Sequence, residues 1–242
     1  MNPFIRSAIA LCLGATLVHA AVAQEAVIRK NIAERLPDFP KIDEVTKTPV
    51  AGLYELRVGT ELFYSDEHGD HILEGHLIET KSRNDLTTAR IDKLTAIDFA
   101  ALPLKDAIVW KQGTGARKLV VFADPNCGYC KKFEKEMQQV KDVTVYTFLY
   151  PILGGDSPEK SRDIWCAKDN GAVWRDWMIK GMAPARSMGQ CDSGALQRNT
   201  AMAKKFRITG TPALVFEDGK RVPGALAPEQ VEKQLAASHG KT

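Results

Sequence analysis

The spacing of apolar positions changes along the chain. Ile28, Ile32 and Leu36 recur every four residues, which predicts a short amphipathic helix over 25–36 ended by Pro37. Alternation follows, with Tyr54, Leu56 and Val58 separated by Glu55 and Arg57, and Leu62 and Tyr64 keeping the same period. Residues 66–70 read as a turn before Ile72-Leu73 and Leu77-Ile78. A sheet module of about 60 residues is only marginally stable by burial, so we expect it to acquire a partner through its edges. Next, Asn84 or Asp85 can cap a helix with Leu86, Ile91, Leu94 and Ile97 on its apolar side, stopped by Leu102-Pro103. It is either a connector between two domains or part of one of their cores.

The second half reads as an α/β layer. Strands are predicted at 108–110 and 118–123, joined by Gly113-Thr114-Gly115, and at 143–149. Ser157-Pro158-Glu159 is a helix start with Ser as cap, and the stretch to about Phe206 is mostly helix-permissive. Strands at 213–216 and 221–222 flank Asp218-Gly219, and a last helix runs from Pro228 through Val231 and Leu235.

The N-terminus sets the compartment. Residues 1–23 carry one charge, Arg6, then an apolar stretch over 8–18 and the small-x-small sequence Ala21-Val22-Ala23, so a cleaved signal peptide and export are expected. The apolar run is shorter than the ~20 residues of a membrane span. Leu11 stands before Cys12 where a lipid anchor wants a small residue. The net charge of +3 is spread over intermixed residues of both signs, which gives no reason to expect a nucleic-acid partner.

Export makes the cysteines informative. Cys127-Gly128-Tyr129-Cys130 follows the apolar run 119–123 and opens an amphipathic stretch, so two thiols sit where a strand hands over to a helix N-terminus. Free N–H groups and the positive end of the macrodipole favour a thiolate there. Cys130, Phe133, Met137 and Val140 form a core-facing stripe, so Cys127 is expected to be the exposed nucleophile and Cys130 its shielded partner. Four cysteines outside the signal allow three pairings. A redox pair at 127 and 130 leaves Cys166 and Cys191 for a structural disulfide of roughly 3 kcal/mol. A four-cysteine zinc site is the competing account, but such sites usually come as two close pairs. His68, His71 and His76 could hold a metal, although histidines in polar turn surroundings are more often solvated. Trp165, Trp174 and Trp177 are expected to pack the helical stretch near Cys166, and Lys131 and Lys132 to be surface charges that can add positive potential near the two thiols.

The Cys127-Gly128-Tyr129-Cys130 motif, Gly210-Thr211-Pro212-Ala213 and Trp165-Cys166-Ala167-Lys168 together resemble the DsbC group of the DsbC/DsbG thiol:disulfide interchange proteins. Residues 49–54, 70–75 and 222–224 extend the likeness over nearly the whole mature chain. The resemblance implies a thioredoxin-like fold with a helical insertion, joined by a linker helix to a small α+β dimerisation domain. The corresponding spans are a signal peptide 1–23, dimerisation domain 24–83, linker helix 84–104 and catalytic domain 105–242. It further implies a periplasmic homodimer, V-shaped around an uncharged peptide-binding cleft. Its Cys127–Cys130 dithiol rearranges wrong disulfides of exported proteins without a cofactor or metal and is kept reduced by a membrane electron donor of the DsbD type. Gly128 and Tyr129 complete the motif; Pro212 is expected to be cis, and Thr211 to pair with an extended substrate. The alternatives are a chaperone whose thiols are secondary, and a DsbG-like reductase of oxidised single cysteines, whose motif carries Pro-Tyr rather than Gly-Tyr. Where thioredoxins and the oxidase DsbA carry a buried acid, six residues before the first cysteine, this chain has Val121. Cys130 must therefore give its proton to another group or to water. Asp124 is the nearest carboxylate in sequence, but it stands at the strand–helix junction, where a structural role is expected. The motif also places the reduction potential between about −270 mV and about −120 mV.

Overall fold

The computed structural model describes residues 23–240. The chain divides into two compact units, one ending at Leu94 and one beginning at Thr95. The expected signal peptide lies outside the described residues except for its last position.

In the first unit, helix α1 (23–35) buries Ile28 and Ile32 against Ile42 and Leu56. Leu36 falls just past the helix and is exposed. Strands β1 (Glu44–Lys47), β2 (Leu53–Val58), β3 (Glu61–Asp66) and β4 (Ile72–Leu73) make an antiparallel meander. The turn after β3 is held by Asp66, whose Oδ1 accepts the N–H groups of His68 (2.9 Å) and Asp70 (3.0 Å). Gly69 in this turn has φ +68°, and a Cβ on it would lie 3.0 Å from the Ile28 carbonyl oxygen. The left-handed backbone and the close approach to α1 both require glycine.

A two-stranded ribbon, β5 (Ile78–Glu79) and β6 (Asn84–Asp85), leads into α2 (Leu86–Leu94). Asp85 caps it by accepting the Thr88 N–H at 2.9 Å. The helix is shorter than the expected span of 84–104. Ile97, which extends its apolar stripe, is instead taken into the core of the second unit with Phe99 and Leu102, and its N–H donates to Gly219 O (2.9 Å). α2 lies against the first unit's sheet: Thr87 is hydrogen-bonded to the Tyr64 hydroxyl, and Arg90 bridges Glu44 (2.8 Å) and Glu55 (3.1 Å).

The second unit is built on a five-stranded sheet of β7 (Ile108–Gln112), β8 (Arg117–Ala123), β9 (Val143–Leu149), β10 (Ala213–Phe216) and β11 (Arg221–Pro223), in the order β11-β10-β8-β9-β7. Only β8 and β9 are parallel. The Gly113-Thr114-Gly115 turn joins β7 to β8 without forming a hairpin, because β9 lies between them. The central strand β8 is covered on both faces, which explains its unbroken apolar run. Leu119, Val121 and Ala123 share a core with α3 (Gly128–Glu136), α5 (Asn170–Arg175) and α7 (Pro228–Ser238). Val120 and Phe122 face the opposite core, which includes Ala203 of α6 (Gly194–Lys205).

Helix α4 (Ser157–Trp165) starts one residue away from the sequence expectation. Asp156 is its N-cap, while the buried Ser157 uses its hydroxyl elsewhere. A wider π turn, Asp176–Lys180, continues α5 and ends at Gly181. The irregular segment before α6 is tied back to the end of α4 by a Cys166–Cys191 disulfide (S–S 2.01 Å) and by Trp165 Nε1 donating to Asp192 O (2.9 Å).

Candidate active site

The loop from Ala123 to Cys127 connects the central strand to α3, so both thiols sit at the C-terminal end of β8, facing the turn that enters β10. Cys127 is the N-cap of α3, with an extended backbone, and its Sγ accepts the Cys130 N–H at 3.2 Å. In the thiol form Sγ donates to Thr211 O at 3.2 Å, across the cis Thr211-Pro212 peptide.

The two sulfurs differ, but not in the way expected. Cys127 is only 5 % exposed and Cys130 1 %, because the Thr211-Pro212 turn closes over the first thiol. What separates them is that hydrogen bonds lower the one thiol while the cost of burial dominates the other. The Cys127 pKa falls to about 5, first through its hydrogen bond with the Cys130 side chain, then, against the opposing effect of burial, through Thr211 and the N–H groups of Cys130 and Tyr129. For Cys130 burial pushes the thiol far upward, and the neighbouring Cys127 adds to the rise. The arrangement leaves one thiol able to ionise below neutral pH and the other protonated. Space over the site is open: a Cβ on Gly128 or on Gly210 would meet nothing within 4 Å, and Tyr129 stands 72 % exposed.

Asp124 is fully buried and organises the loop. It accepts the Asn126 N–H (2.8 Å) and the Ser157 hydroxyl (2.8 Å) at Oδ1, and the Leu153 N–H (3.0 Å) at Oδ2. Trp177 grips the same loop, with Nε1 donating to Pro125 O at 2.6 Å. Two ammonium groups lie over its ring, Lys131 at 3.9 Å and Lys160 at 4.3 Å from the centroid, as cation–π attraction favours. Of the three tryptophans expected near Cys166, only Trp165 is hydrogen-bonded beside the disulfide; Trp177 holds the redox loop and Trp174 reaches under α3. Lys131 is likewise more than a surface charge. His71 and His76 each pair with a separate carboxylate, Asp66 and Asp85, both at 2.6 Å, and His68 lies 3.6 Å from Glu67. Among the described residues they do not converge on one point.

One site residue was not anticipated. Glu134, on α3, is 2 % exposed and accepts the Trp174 Nε1–H at 2.7 Å. Burial raises its pKa to about 7, against the lowering influence of Trp174, Arg175 and Trp110. Its signal was present in the sequence: positions 130, 133, 134 and 137 make one helical stripe, and an acid on it is out of place.

Comparison with known proteins agrees with this geometry. Residues 104–239 match the thioredoxin-like domain model and residues 19–88 the model of the disulfide bond isomerase protein N-terminal domain. The chain is 41 % identical over 212 residues to the probable thiol:disulfide interchange protein DsbC of Bordetella parapertussis, covering 88 % of this chain and 74 % of that one. It is 28 % identical over 220 residues to the thiol:disulfide interchange protein DsbC of Escherichia coli K12, covering 89 % of each. The crystal structure of a disulfide interchange protein from Neisseria gonorrhoeae superposes with a TM-score of 0.54 at 36 % identity, over 57 % of this chain and 99 % of that one. A helix-start dithiol on a thioredoxin-like sheet, preceded by the isomerase N-terminal module, places this chain in the DsbC family of thiol-disulfide oxidoreductases.

Proposed function

We propose that the protein is a periplasmic disulfide isomerase in which Cys127 is the nucleophile and Cys130 the resolving thiol. The observation that carries this reading is the placement of Cys127 as the N-cap of α3, its Sγ accepting the Cys130 N–H at 3.2 Å, with Cys130 buried one turn behind it; the two thiol pKa values are displaced in opposite directions in keeping with that geometry. The Cys127 thiolate attacks a non-native disulfide; one substrate sulfur becomes bonded to Cys127 and the other leaves as a thiolate. If a second substrate thiolate displaces Cys127, the bond has been rearranged and the enzyme is unchanged. If none arrives, Cys130 attacks Cys127, the substrate leaves reduced, and the Cys127–Cys130 disulfide then needs a donor of the DsbD type. The openings over Gly128 and Gly210 support access of an extended chain to Cys127, with Thr211 as its backbone partner. Cys166–Cys191 is structural on this reading.

The first unit is the dimerisation module. Its β1 and β4 are sheet edges, and Leu73 on β4 is 55 % exposed, an apolar edge of the kind a second chain covers. The test of the chemistry is refolding of a scrambled multi-disulfide protein. Cys127→Ser is expected to abolish the activity and Cys130→Ser to accumulate mixed disulfides. Isomerisation by Cys127→Ser at the native rate would refute the assignment.

A further inference from the structure

Resolution requires Cys130, which is 1 % exposed, to lose its proton inside the core. Val121 on β8 offers no acid, and Asp124 has hydrogen bonds to both carboxylate oxygens. Glu134 is different. It lies four residues after Cys130 on α3, and residues so spaced have neighbouring side chains, about 5–6 Å apart at Cβ. Helix side chains lean toward the N-terminus, which tilts Glu134 toward the turn of Cys130.

One carboxylate oxygen is committed to Trp174, but Oε2 is buried and has no partner. Two buried donors near it complete no hydrogen bond of normal length, Trp110 Nε1 on β7, which still acts on the Glu134 carboxyl, and Arg175 Nε on α5, and the Arg175 guanidinium lies over the Trp110 ring at 4.9 Å. Buried polar atoms left unmatched in a native fold call for an explanation. Two donors beside the unmatched oxygen of a buried acid mark a polar chamber in an otherwise apolar core. We infer that Glu134 is the proton acceptor for Cys130 in the resolving step, with Trp174 positioning its carboxyl and Arg175 supplying the balancing charge.

The step rests on the assignment of Cys127 and Cys130 above. The Glu134 carboxylate takes the proton from Cys130. The new thiolate attacks Cys127 Sγ, the Cys127–substrate bond breaks, and the substrate sulfur leaves with the electron pair. Glu134 then passes the proton to the departing thiolate or to solvent. A carboxyl titrating at about 7 can both accept and release a proton near neutral pH. The groups facing it are Arg175 from α5 and the Trp110 and Trp174 indoles from β7 and α5, and Cys130 stands one turn earlier on its own helix. In the adjoining π turn, Asp176 is paired with Lys180 at 2.8 Å.

The test follows both steps of the reaction of the reduced full-length protein with oxidised glutathione, by acid quench and mass spectrometry across pH 5–9. Glu134→Gln keeps an oxygen for Trp174 but cannot accept a proton. In this variant the ratio of second-step to first-step rate is expected to fall at least tenfold, the mixed disulfide to accumulate, and the rise of the native second step through pH 7 to disappear. An unchanged ratio and pH profile would overturn the inference while leaving the roles of the cysteines intact. If the native protein forms no adduct on Cys127, the underlying assignment fails instead. Should Glu134→Gln not fold, the native carboxyl is read directly by NMR titration: a midpoint near 7 that moves when the dithiol is oxidised supports the inference, and a carboxyl fully ionised at pH 5 overturns it.

Discussion

At the scale of single residues, the site works by contrast between two identical side chains. The Cys127 pKa is depressed from an ordinary 9.0 to about 5. Alkylation of the reduced protein by iodoacetamide is therefore expected to titrate with a midpoint near pH 5, with Cys130 contributing nothing below pH 9. A midpoint above 8 would show that the thiol is not activated. The same shift fixes a stability trend. The folded value lies below the unfolded one, so its contribution to the reduced form is complete above about pH 9 and is lost as pH falls through about 5. The oxidised form has no thiolate, so the reduced form's stability advantage should shrink steadily over that window in denaturant titrations. The motif and its helix were legible in the sequence, because an apolar run followed by two cysteines at a helix start admits few other readings. The near-burial of Cys127 was not, since the Thr211-Pro212 turn that covers it lies 84 residues away. Glu134 was masked by its neighbours in Lys131-Lys132-Phe133-Glu134-Lys135-Glu136, a run whose charge density reads as a solvated face although Glu134 is buried beside Phe133.

At the scale of elements, periodicity identified the strands of the five-stranded sheet and β2, β3 and β4 of the first unit, but it missed β1, a four-residue edge strand paired only with β2, and β6, whose two residues read as a helix cap. Helix α2 ends at Leu94 because the residues beyond it gain more from the core of the second unit than from prolonging an exposed helix. Helix α4 takes Asp156 as its cap because Ser157 is bonded to Asp124. Both competitors are distant in sequence, which is why local pattern could not reveal them. In the first unit the meander is pinned by one turn. Gly69→Ala would have to hold φ at +68° and bring a methyl against Ile28 O, so it should destabilise the unit by about 1 to 2 kcal/mol. Urea unfolding of the native and variant proteins measures this, and equal midpoints would show that the turn gives way without penalty.

At the scale of the whole molecule, the chain joins a small sheet with open edges to a catalytic unit with two full cores. Only the first is short of buried apolar surface, and it is the unit for which we propose a second copy as partner. Light scattering should give the full protein twice the mass of one chain, and removal of residues 24–83 should leave a monomer. A monomeric full-length protein would overturn the proposed assembly. The catalytic unit is fastened from several sides, with Asp124, Ser157 and Trp177 fixing the redox loop and the Cys166–Cys191 bond fixing the insertion that carries two of them. Amid this rigidity, the position after Cys127 faces vacant space. A side chain placed at Gly128 presses on nothing in the scaffold, so redox poise could be adjusted there like a dial, by selection or by design, while the frame around it stays as built.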